Sequence, residues 1–491
     1  DNFRVDGYDA ERKIVYEFYG CLWHGCKTCF PYGRDEPLRV TDGRSMEENY
    51  ARTVHRRDAL KAKGYNVVEM WECTWNAMKK NDETVRQICD AIELLPPIDE
   101  RDGLFGGRTN AVQLFQETKK DEKIHYVDVT SLYPSVNLHG DYPIGHPEIL
   151  TGRFDLTLRS YFGVVKCKIL PPRELFHPVL PCKINNKLMF VLCRVCAELQ
   201  NQTTCTHDDN QRCLTGVWYT PELHLALERG YRVITIYEVW HWKNKTKGLF
   251  EEYVKRFMKL KQEMSGWPEN CETVSERRAY IVDYLQRQKI ELDYDNVQQN
   301  SGKREVAKRL LNSLWGKFAQ NPCFDKGEYC TSVEQFNKIV FSSRNVVKDV
   351  MFFNEYVCYV VYEEAHPDFI TPLKNANVFI GGFTTSQARV HLYRYLHELD
   401  GGIKRNNLHE ARVLYFDTDS VIYKTCAGQR DLPLGTLLGE LTSELDQDEY
   451  IKTFVSAGPK NYAYETNTGK QTCKIKGFTL NYSASRLLNF K

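Results

Sequence analysis

The chain has 491 residues, of which 42% are hydrophobic and 27% are charged, and its formal net charge is +1. This length allows a large core and two to four domains, while the near-neutral charge means that a polyanionic partner must be held by local basic patches. No stretch approaches the ~20 apolar residues of a membrane span, and no signal-peptide pattern opens the chain, which predicts an intracellular, non-secreted protein without membrane partners.

The N-terminal region mixes short strands with one long helix. The runs 14–19 (IVYEFY) and 65–71 (YNVVEMW) predict strands, and the charged run 45–64 predicts a helix. A second helix is expected at about 83–94. Pro and Gly then punctuate residues 95–112, which indicates a boundary.

Beyond this boundary, strands alternate with helices from about 124 to 300. A strong helix is predicted at 303–318, followed by a hairpin-like region at 320–363. A further helix is expected at 384–399. The run LYFDTDSVIY at 414–423 predicts a hairpin with a polar corner.

The 17 cysteines fall partly into two clusters, GCLWHGCKTC and LCRVCAELQNQTTCTH. In a large chain without a signal sequence, such spacing favours metal sites in a reducing compartment over disulfides. Cys182 and Cys213 are spare ligand candidates for the second cluster, and buried thiols without metal are the alternative. The predicted zinc ligands of the second cluster are Cys193, Cys196, Cys205 and His207.

Asp417 and Asp419 flank the corner of the DTDS hairpin. Residues i and i+2 of an extended chain lie on one face, so both carboxylates should point the same way. Like charges this close repel, and a divalent cation would compensate them. A solvated turn is the alternative, because Asp, Thr and Ser all favour turns.

Another aspartate, Asp128, ends the apolar run IHYVDV and precedes SLYPS. A pocket for two cations needs acids from separate segments, because one turn cannot surround both ions. We therefore predict that Asp128 and the DTDS acids lie roughly 4–7 Å apart, around metals ~3.5–4 Å apart. An ordinary strand end followed by a proline turn is the alternative.

In the segment 302–318 (GKREVAKRLLNSLWGKF), polar residues recur at every fourth position. On a helix they form one stripe, and an apolar stripe that should pack lies roughly opposite. Cations one turn apart suit a triphosphate, although a solvated amphipathic helix is the commoner meaning of the pattern. The polar stripe is Arg304, Lys308, Asn312 and Gly316, and the apolar stripe is Val306, Leu310, Leu314 and Phe318.

Together these segments resemble the ordered motifs of family B DNA polymerases. DVTSLYPS resembles motif A, KRLLNSLWG motif B, YFDTDS motif C, and PKNYAY the K-x-Y motif. Trp315 replaces the Tyr of motif B, and in LFGGR Leu104 replaces the Tyr of the Y-x-G-G motif. The long spacing between motifs resembles protein-primed polymerases of viruses, linear plasmids and Polinton-like elements, which carry terminal-protein regions there.

This resemblance implies a DNA-directed DNA polymerase that uses two Mg²⁺ ions, dNTPs, a DNA primer-template and, in the protein-primed class, a terminal protein. Asp128 and Asp419 would ligate the metals with the Val129 carbonyl, and Asp417 would complete the catalytic acids. Tyr133 would stack under the sugar and reject a 2′-hydroxyl. The other implied nucleotide-binding residues are Arg304, Lys308, Asn312 and Trp315, and the implied primer- or DNA-binding residues are Gly106, Gly107, Arg108, Ser420, Lys460 and Tyr462.

About residues 3–78 resemble the very-short-patch-repair endonucleases, through GCLWHGC and HRRDALKAKGYNVVEMWEC. Asp6 and His24 occupy places of that family's nuclease residues, and Glu17 is a further candidate metal ligand. However, Phe18 stands at the activating Thr position, so a zinc-stabilised fold that only binds DNA is the alternative. The implied structural zinc ligands are Cys21, Cys26, Cys29 and Cys73, with Cys26 replacing a family His.

The expected architecture is α/β and α+β, with several domains. A restriction-endonuclease-like zinc domain is expected at 1–95, a linker with the FGGR motif at 96–123, and a polymerase palm and fingers at 124–491. Insertions like terminal-protein regions are expected at about 170–300 and 320–375, and the exonuclease and thumb of such enzymes would lie outside this sequence. The rival hypotheses are a decayed polymerase that only binds DNA or a terminal protein, and a zinc-containing endonuclease. The motif boundaries are 128–135 for A, 308–316 for B, 415–420 for C and 460–462 for K-x-Y.

Overall fold

The computed structural model has a mixed α/β architecture that divides into two compact units. The first unit contains residues 1–96 and 321–374, and the second contains 97–320 and 375–491. No helix in the described parts of the chain is long and apolar enough to cross a membrane. The described residues are 5–41, 43–91, 95–322, 324–366, 369–370, 373–403, 407–477 and 481–490.

The first unit begins with a three-stranded sheet and one long helix. The middle strand pairs antiparallel with the first strand and parallel with the third. The helix joins the second and third strands, and it begins at a capping box formed by Ser45 and Glu48. The elements are β1 (Gly7–Asp9), β2 (Ile14–Tyr19), α1 (Met46–Ala62), β3 (Asn66–Trp71), α2 (Glu72–Asn81) and α3 (Glu83–Ala91).

These bounds confirm the strands predicted at 14–19 and 65–71 and the helix predicted at 45–64 to within two residues. The helix expected at 83–94 is present as α3, and residues 92–94 lie outside the described part of the chain.

The second unit contains most of the chain's elements. Up to residue 320 its strands are β4 (Thr109–Ala111), β5 (Phe115–Glu117), β6 (Glu122–Val129), β7 (Tyr142–Ile144), β8 (Glu148–Leu150), β9 (Gly163–Leu170), β10 (Pro181–Ile184), β11 (Lys187–Phe190), β12 (Leu214–Tyr219), β13 (Arg232–His241) and β14 (Asn244–Thr246). Its helices up to that point are α4 (Leu132–His139), α5 (Arg194–Glu198), α6 (Asp209–Arg212), α7 (Thr220–Glu228), α8 (Glu251–Glu263), α9 (Val274–Gln288) and α10 (Ser301–Phe318).

Residues 321–374 form an antiparallel sheet in the order β15-β17-β16, with one helix. The predicted hairpin is present as β16 and β17, and β15 adds an edge strand to it. The elements are β15 (Lys326–Cys330), α11 (Val333–Val340), β16 (Asn345–Phe352) and β17 (Cys358–Glu364).

The chain then returns to the second unit with a long helix, which begins earlier than predicted because the Asn377 side chain caps it. The remaining elements are α12 (Val378–Asp400), β18 (Val413–Asp417), β19 (Ser420–Cys426), β20 (Leu441–Ser443), β21 (Ile451–Gly458), β22 (Asn461–Thr466), β23 (Gln471–Ile475) and α13 (Tyr482–Leu487).

The central sheet of the second unit has the order β23-β22-β21-β6-β19-β18-β4, and β20 and β5 pair onto its sides. Apolar residues alternate between its faces. Val127 and Val421 pack in a core with helix α12, while Tyr126 and Ile422 pack on the other side. Burial on both faces fixes the register of the central strands.

The segment 96–123, expected as a linker, is instead built into this sheet. Its strands β4 and β5 pair with β18 and β21. Backbone pairing with the sheet thus outweighs the Pro and Gly content that suggested a linker.

Candidate metal and nucleotide site

The predicted hairpin around DTDS is formed by β18 and β19. β19 also pairs with β6, in a register that places Ser420 opposite Asp128. The Val129 N–H donates a 2.8 Å hydrogen bond to the Asp419 carbonyl. Asp128, at the end of β6, and Asp419, in the turn directly before β19, therefore lie near each other at one end of the central sheet.

The surroundings of these two acids disfavour their charged forms. Burial, together with the charge of Asp419, raises the pKa of Asp128 to about 7. Burial also raises the pKa of Asp419 to about 6, and the charge of Asp417 adds to this. Neither Asp128 nor Asp419 has an ion-pair partner among the described residues. Two desolvated carboxyl groups that form no ion pair are a donor set that fits hard divalent ions such as Mg²⁺.

Asp417 is balanced differently, by the lysine of the K-x-Y motif. Both carboxylate oxygens accept hydrogen bonds from Lys460 Nζ at 2.9 Å, and Oδ1 also accepts one from the Thr109 hydroxyl at 2.6 Å. Its charge is thus neutralised without metal, which sets Asp417 apart from Asp128 and Asp419. Lys460 was expected to hold the primer; its side chain contacts this aspartate and is 50% exposed, so its contact with a primer stays a prediction.

Two other residues expected to contact primer or DNA are buried. Tyr462 is 7% exposed and packs among Tyr126, Tyr415 and other core residues, which leaves no ring face for a base. Ser420 is also buried, and its hydroxyl donates to the Asp417 carbonyl. Alternation along β19 and β22 turns both side chains into the sheet, so direct primer contact by them is not supported.

The FGGR segment (105–108) lies against the tip of the hairpin formed by β18 and β19. Arg108 was expected to bind DNA, but its guanidinium is buried, 4.4 Å from the centre of the Phe190 ring, and burial lowers its pKa to about 10. Cation–π contacts with surrounding rings replace a phosphate as its partner. Gly106 is open on its Cβ side, whereas Gly107 faces the Thr418 side chain at the hairpin tip.

Basic side chains from helices α8 and α10 approach the acids. The Lys308 charge acts on the Asp128 carboxylate, and Arg304 Nε donates to the Ser265 hydroxyl. Lys261 of α8 donates to the Ser131 hydroxyl at 3.3 Å, and its pKa is lowered by burial and by the charges of Arg304 and Lys308. Three cations therefore converge near the strand end that carries Asp128. Asn312 is exposed on α10.

The apolar stripe predicted on α10 was wrong in part. Val306 and Leu310 are 56% and 36% exposed, and the buried residues are Ala307 and Leu311. The packing face is therefore displaced by one residue, because it is set by where α8 lies and not by apolar content alone.

Tyr133 of α4 stacks on Trp315 of α10, with ring centroids 4.7 Å apart and planes at 27°. Tyr133 is partly buried, and burial raises its pKa to about 12. The preceding Ser131 has a φ of 53°, in the left-handed region. Such strain in a non-glycine residue is characteristic of functional sites.

Sequence reasoning missed two charged residues of this site, Lys261 and Glu444. The Glu444 charge contributes to the raised pKa of both Asp128 and Asp419. Glu444 directly follows the three-residue strand β20, which carries no motif. Lys261 lies in the basic helix α8, so only the pairing of α8 with α10 could have identified it.

Each cysteine cluster predicted from sequence converges on a possible metal position. In each group, one ligand atom from every residue lies within 4.8 Å of the others, so both groups can hold a metal ion. Cys182 and Cys213 make other contacts, with the carbonyls of Met189 and Asp209. The groups are Cys21, Cys26, Cys29 and Cys73, and Cys193, Cys196, Cys205 and His207.

The candidate nuclease residues are only partly brought together. The Asp6 charge acts on His24, whose Nδ1 lies 2.9 Å from the Thr53 hydroxyl. Glu17 is buried and bound by Arg56 at 2.9 Å, which makes it an ion-pair partner more than a metal ligand. Asp6 itself accepts a hydrogen bond from the Phe18 N–H at 2.8 Å.

Comparisons with known proteins identify similar DNA polymerases. A DNA polymerase of Kluyveromyces lactis is 25% identical over 383 residues, which are 74% of this chain and 30% of that polymerase, so the chain spans less than a third of this relative. Among solved structures, the orthorhombic crystal form of Phi29 DNA polymerase has a TM-score of 0.49 at 17% identity, covering 80% of this chain and 56% of that chain. Its ternary complex with primer-template DNA and incoming nucleotide has a TM-score of 0.47 at 16% identity, covering 85% of this chain and 62% of that chain. Residues 99–271 match the family model described as DNA polymerase type B, organellar and viral.

Proposed function

We propose that this chain carries the nucleotidyl-transfer site of a family B DNA-directed DNA polymerase, of the protein-primed class that replicates viral or mobile elements. The observation that carries the proposal is the closeness of Asp128, at the end of β6, to Asp419, in the turn before β19. The Val129 N–H donates to the Asp419 carbonyl, and burial raises the pKa of both carboxyl groups. The family match at 99–271 supports it.

Two Mg²⁺ ions bound by Asp128 and Asp419 would activate the primer 3′-hydroxyl and stabilise the leaving pyrophosphate. The chain's own residues would bind and orient the nucleotide. Lys261, Arg304 and Lys308 supply the positive charge that a triphosphate needs. Lys460 holds the Asp417 carboxylate in place through two hydrogen bonds at 2.9 Å.

Primer extension separates this proposal from its rivals. The wild-type chain should add the nucleotide complementary to the template in Mg²⁺, and chelation should abolish the addition. A decayed polymerase would bind the primer-template without extending it. A nuclease would shorten the DNA instead, and that loss would disappear in the variant His24→Ala.

The stacking of Tyr133 on Trp315 leads to a specific prediction about discrimination between ribonucleotides and deoxynucleotides. We expect Tyr133→Ala to raise ribonucleotide use relative to deoxynucleotide use by about 10-fold or more, because removing the ring opens space at the 2′ carbon. Tyr133→Phe keeps the ring and should keep the preference. Extension with dNTPs against rNTPs measures this. An unchanged preference with a lowered melting temperature would mean that Tyr133 serves only packing.

The cysteine clusters are proposed as two structural Zn²⁺ sites, one in each unit, because tetrahedral thiolate and imidazole sets favour zinc. Clustered thiolates of this kind persist as ligands in a reducing, intracellular setting. A terminal protein is the proposed priming partner, and the residues 321–374 are the proposed second insertion between motifs B and C.

We further propose a restriction-endonuclease-like fold for residues 1–95, supported by the parallel pairing of β2 and β3 across helix α1. DNA binding is its first candidate role. Cleavage is the second, favoured only by the proximity of Asp6 to His24.

A further inference from the structure

The segment 105–108 lies against the tip of the hairpin that carries Asp417 and Asp419. The Thr418 N–H donates a 2.8 Å hydrogen bond to the Arg108 carbonyl. A Cβ atom at Gly107 would come within 2.5 Å of the Thr418 hydroxyl oxygen. Thr418 has a φ of 61°, a conformation that a β-branched residue keeps only when its neighbours enforce it. The segment 105–108 is the neighbour that does so.

Arg389 of helix α12 holds this segment in turn. Its Nη1 donates to the carbonyls of Phe105 and Gly106 at 2.6 and 2.7 Å. Its Nε and Nη2 donate to the two carboxylate oxygens of Glu222 of α7, each at 2.7 Å. Arg389 is 4% exposed and Glu222 is 1% exposed. A planar guanidinium with four directed hydrogen bonds in a dry setting fixes its acceptors closely.

We propose that the Glu222–Arg389 pair is a positioning device for the metal-binding turn. It fixes residues 105–108, these fix Thr418, and Thr418 fixes the distance of Asp419 from Asp128. Both residues lack contact with any reacting atom, so they act through the turn. This inference rests on the proposed function of the site.

The variant Arg389→Lys would keep the positive charge but lose the geometry of these four hydrogen bonds. A single ammonium group cannot donate to two carbonyls and to both oxygens of a carboxylate in the same directions. Arg389→Lys should therefore keep the positive charge at this position and the surrounding packing. Residues 105–108, however, should be held less firmly. The predicted consequence is weaker metal binding, not merely lower stability.

The chain offers a matched control for purely structural loss. Arg212 is 3% exposed, donates to the carbonyls of Pro171 and Leu192, and lies 3.3 Å from Asp209. It resembles Arg389 in burial and in its partners, but its contacts do not reach the hairpin. Arg212→Lys should lower the melting temperature without changing metal affinity.

The experiment measures Mn²⁺ binding to the zinc-loaded full chain by the electron paramagnetic resonance signal of free Mn²⁺, together with thermal melting. The Mn²⁺ binding that is lost in the variant Asp419→Asn is assigned to the site that contains Asp419. We expect Arg389→Lys to weaken this binding by about 10-fold, the effect typical of groups that orient metal ligands. Arg212→Lys should bind Mn²⁺ like the wild type.

A second pair of variants keeps the test decisive if Arg389→Lys does not fold. Gly107→Ala leaves the ion pair intact and pushes on Thr418, so it should also weaken Mn²⁺ binding. Gly152→Ala, outside the segment 105–108 and with open space on its Cβ side, should not. Wild-type Mn²⁺ affinity in Arg389→Lys or in Gly107→Ala would overturn the inference. Absence of any Mn²⁺ site in the wild type that depends on Asp419 would overturn the proposed function itself.

Discussion

We expect replacement of Asp128 or Asp419 by Asn to lower the rate of nucleotide incorporation by about 10³-fold. Each change would remove a carboxylate charge that holds the proposed metals, worth several kcal/mol of transition-state stabilisation. Asp128 lies opposite Ser420, the residue that follows Asp419, and neither acid forms an ion pair among the described residues. Single-turnover extension at saturating dNTP measures the effect.

The matched control is Asp446→Asn, an exposed aspartate that pairs with Lys470 at 3.1 Å. It should extend primers like the wild type. If Asp128→Asn or Asp419→Asn also retained the wild-type rate, these acids would not be the metal ligands.

The same variants should not lose stability in the absence of metal. The folded-state pKa of Asp128 is raised, to about 7, so its ionised form destabilises the fold. This cost is fully present above that pH and disappears as the pH falls toward the ordinary carboxyl value. At pH 8 and without metal, Asp128→Asn should therefore melt at the same temperature as the wild type or higher. A site whose removal stabilises the fold is kept for function.

The second large effect, on folding, is expected when metal is removed from the first cysteine cluster. We expect chelation to unfold the three-stranded sheet β1–β3 and its helix, because a structural zinc contributes ~10–16 kcal/mol of apparent folding free energy. That is comparable with the ~5–15 kcal/mol total stability of ordinary domains. Cys21 and Cys26 of the cluster are also part of the core around Leu22 and Met46, so the loss reaches the packing.

Metal analysis and thermal melting with and without chelator measure this effect. Cys73→Ser should reproduce the loss, because Cys73 Sγ lies 3.8 Å from Cys26 Sγ. Cys89→Ser, a change outside both clusters, should not. A unit that melts at an unchanged temperature after its metal is removed would contradict a structural role.

Local patterns carried most of what could be predicted. The strands 14–19 and 66–71, the DTDS hairpin and both cysteine clusters depend on residues close in sequence, whose chemistry and spacing are visible directly. The partners of charged groups could not be predicted in this way, because they come from distant segments.

Arg108 and Lys460 illustrate that limit. Both were predicted to contact DNA or primer. In the structure, the Arg108 guanidinium contacts the aromatic rings of Phe190 and Phe416, and Lys460 forms an ion pair with Asp417. The packing side of α10 could not be predicted either. Ala307 is buried and Val306 is exposed only because of where α8 lies. Tertiary contacts therefore decide which polar residues face the site.

One measurement tests the two-metal site most directly, the number of Mn²⁺ ions bound by the chain with a chain-terminated primer-template and the complementary dNTP. We expect two ions that are bound together with the nucleotide, and the loss of both in the double variant Asp128→Asn/Asp419→Asn. The same number of ions in the double variant as in the wild type would contradict this expectation.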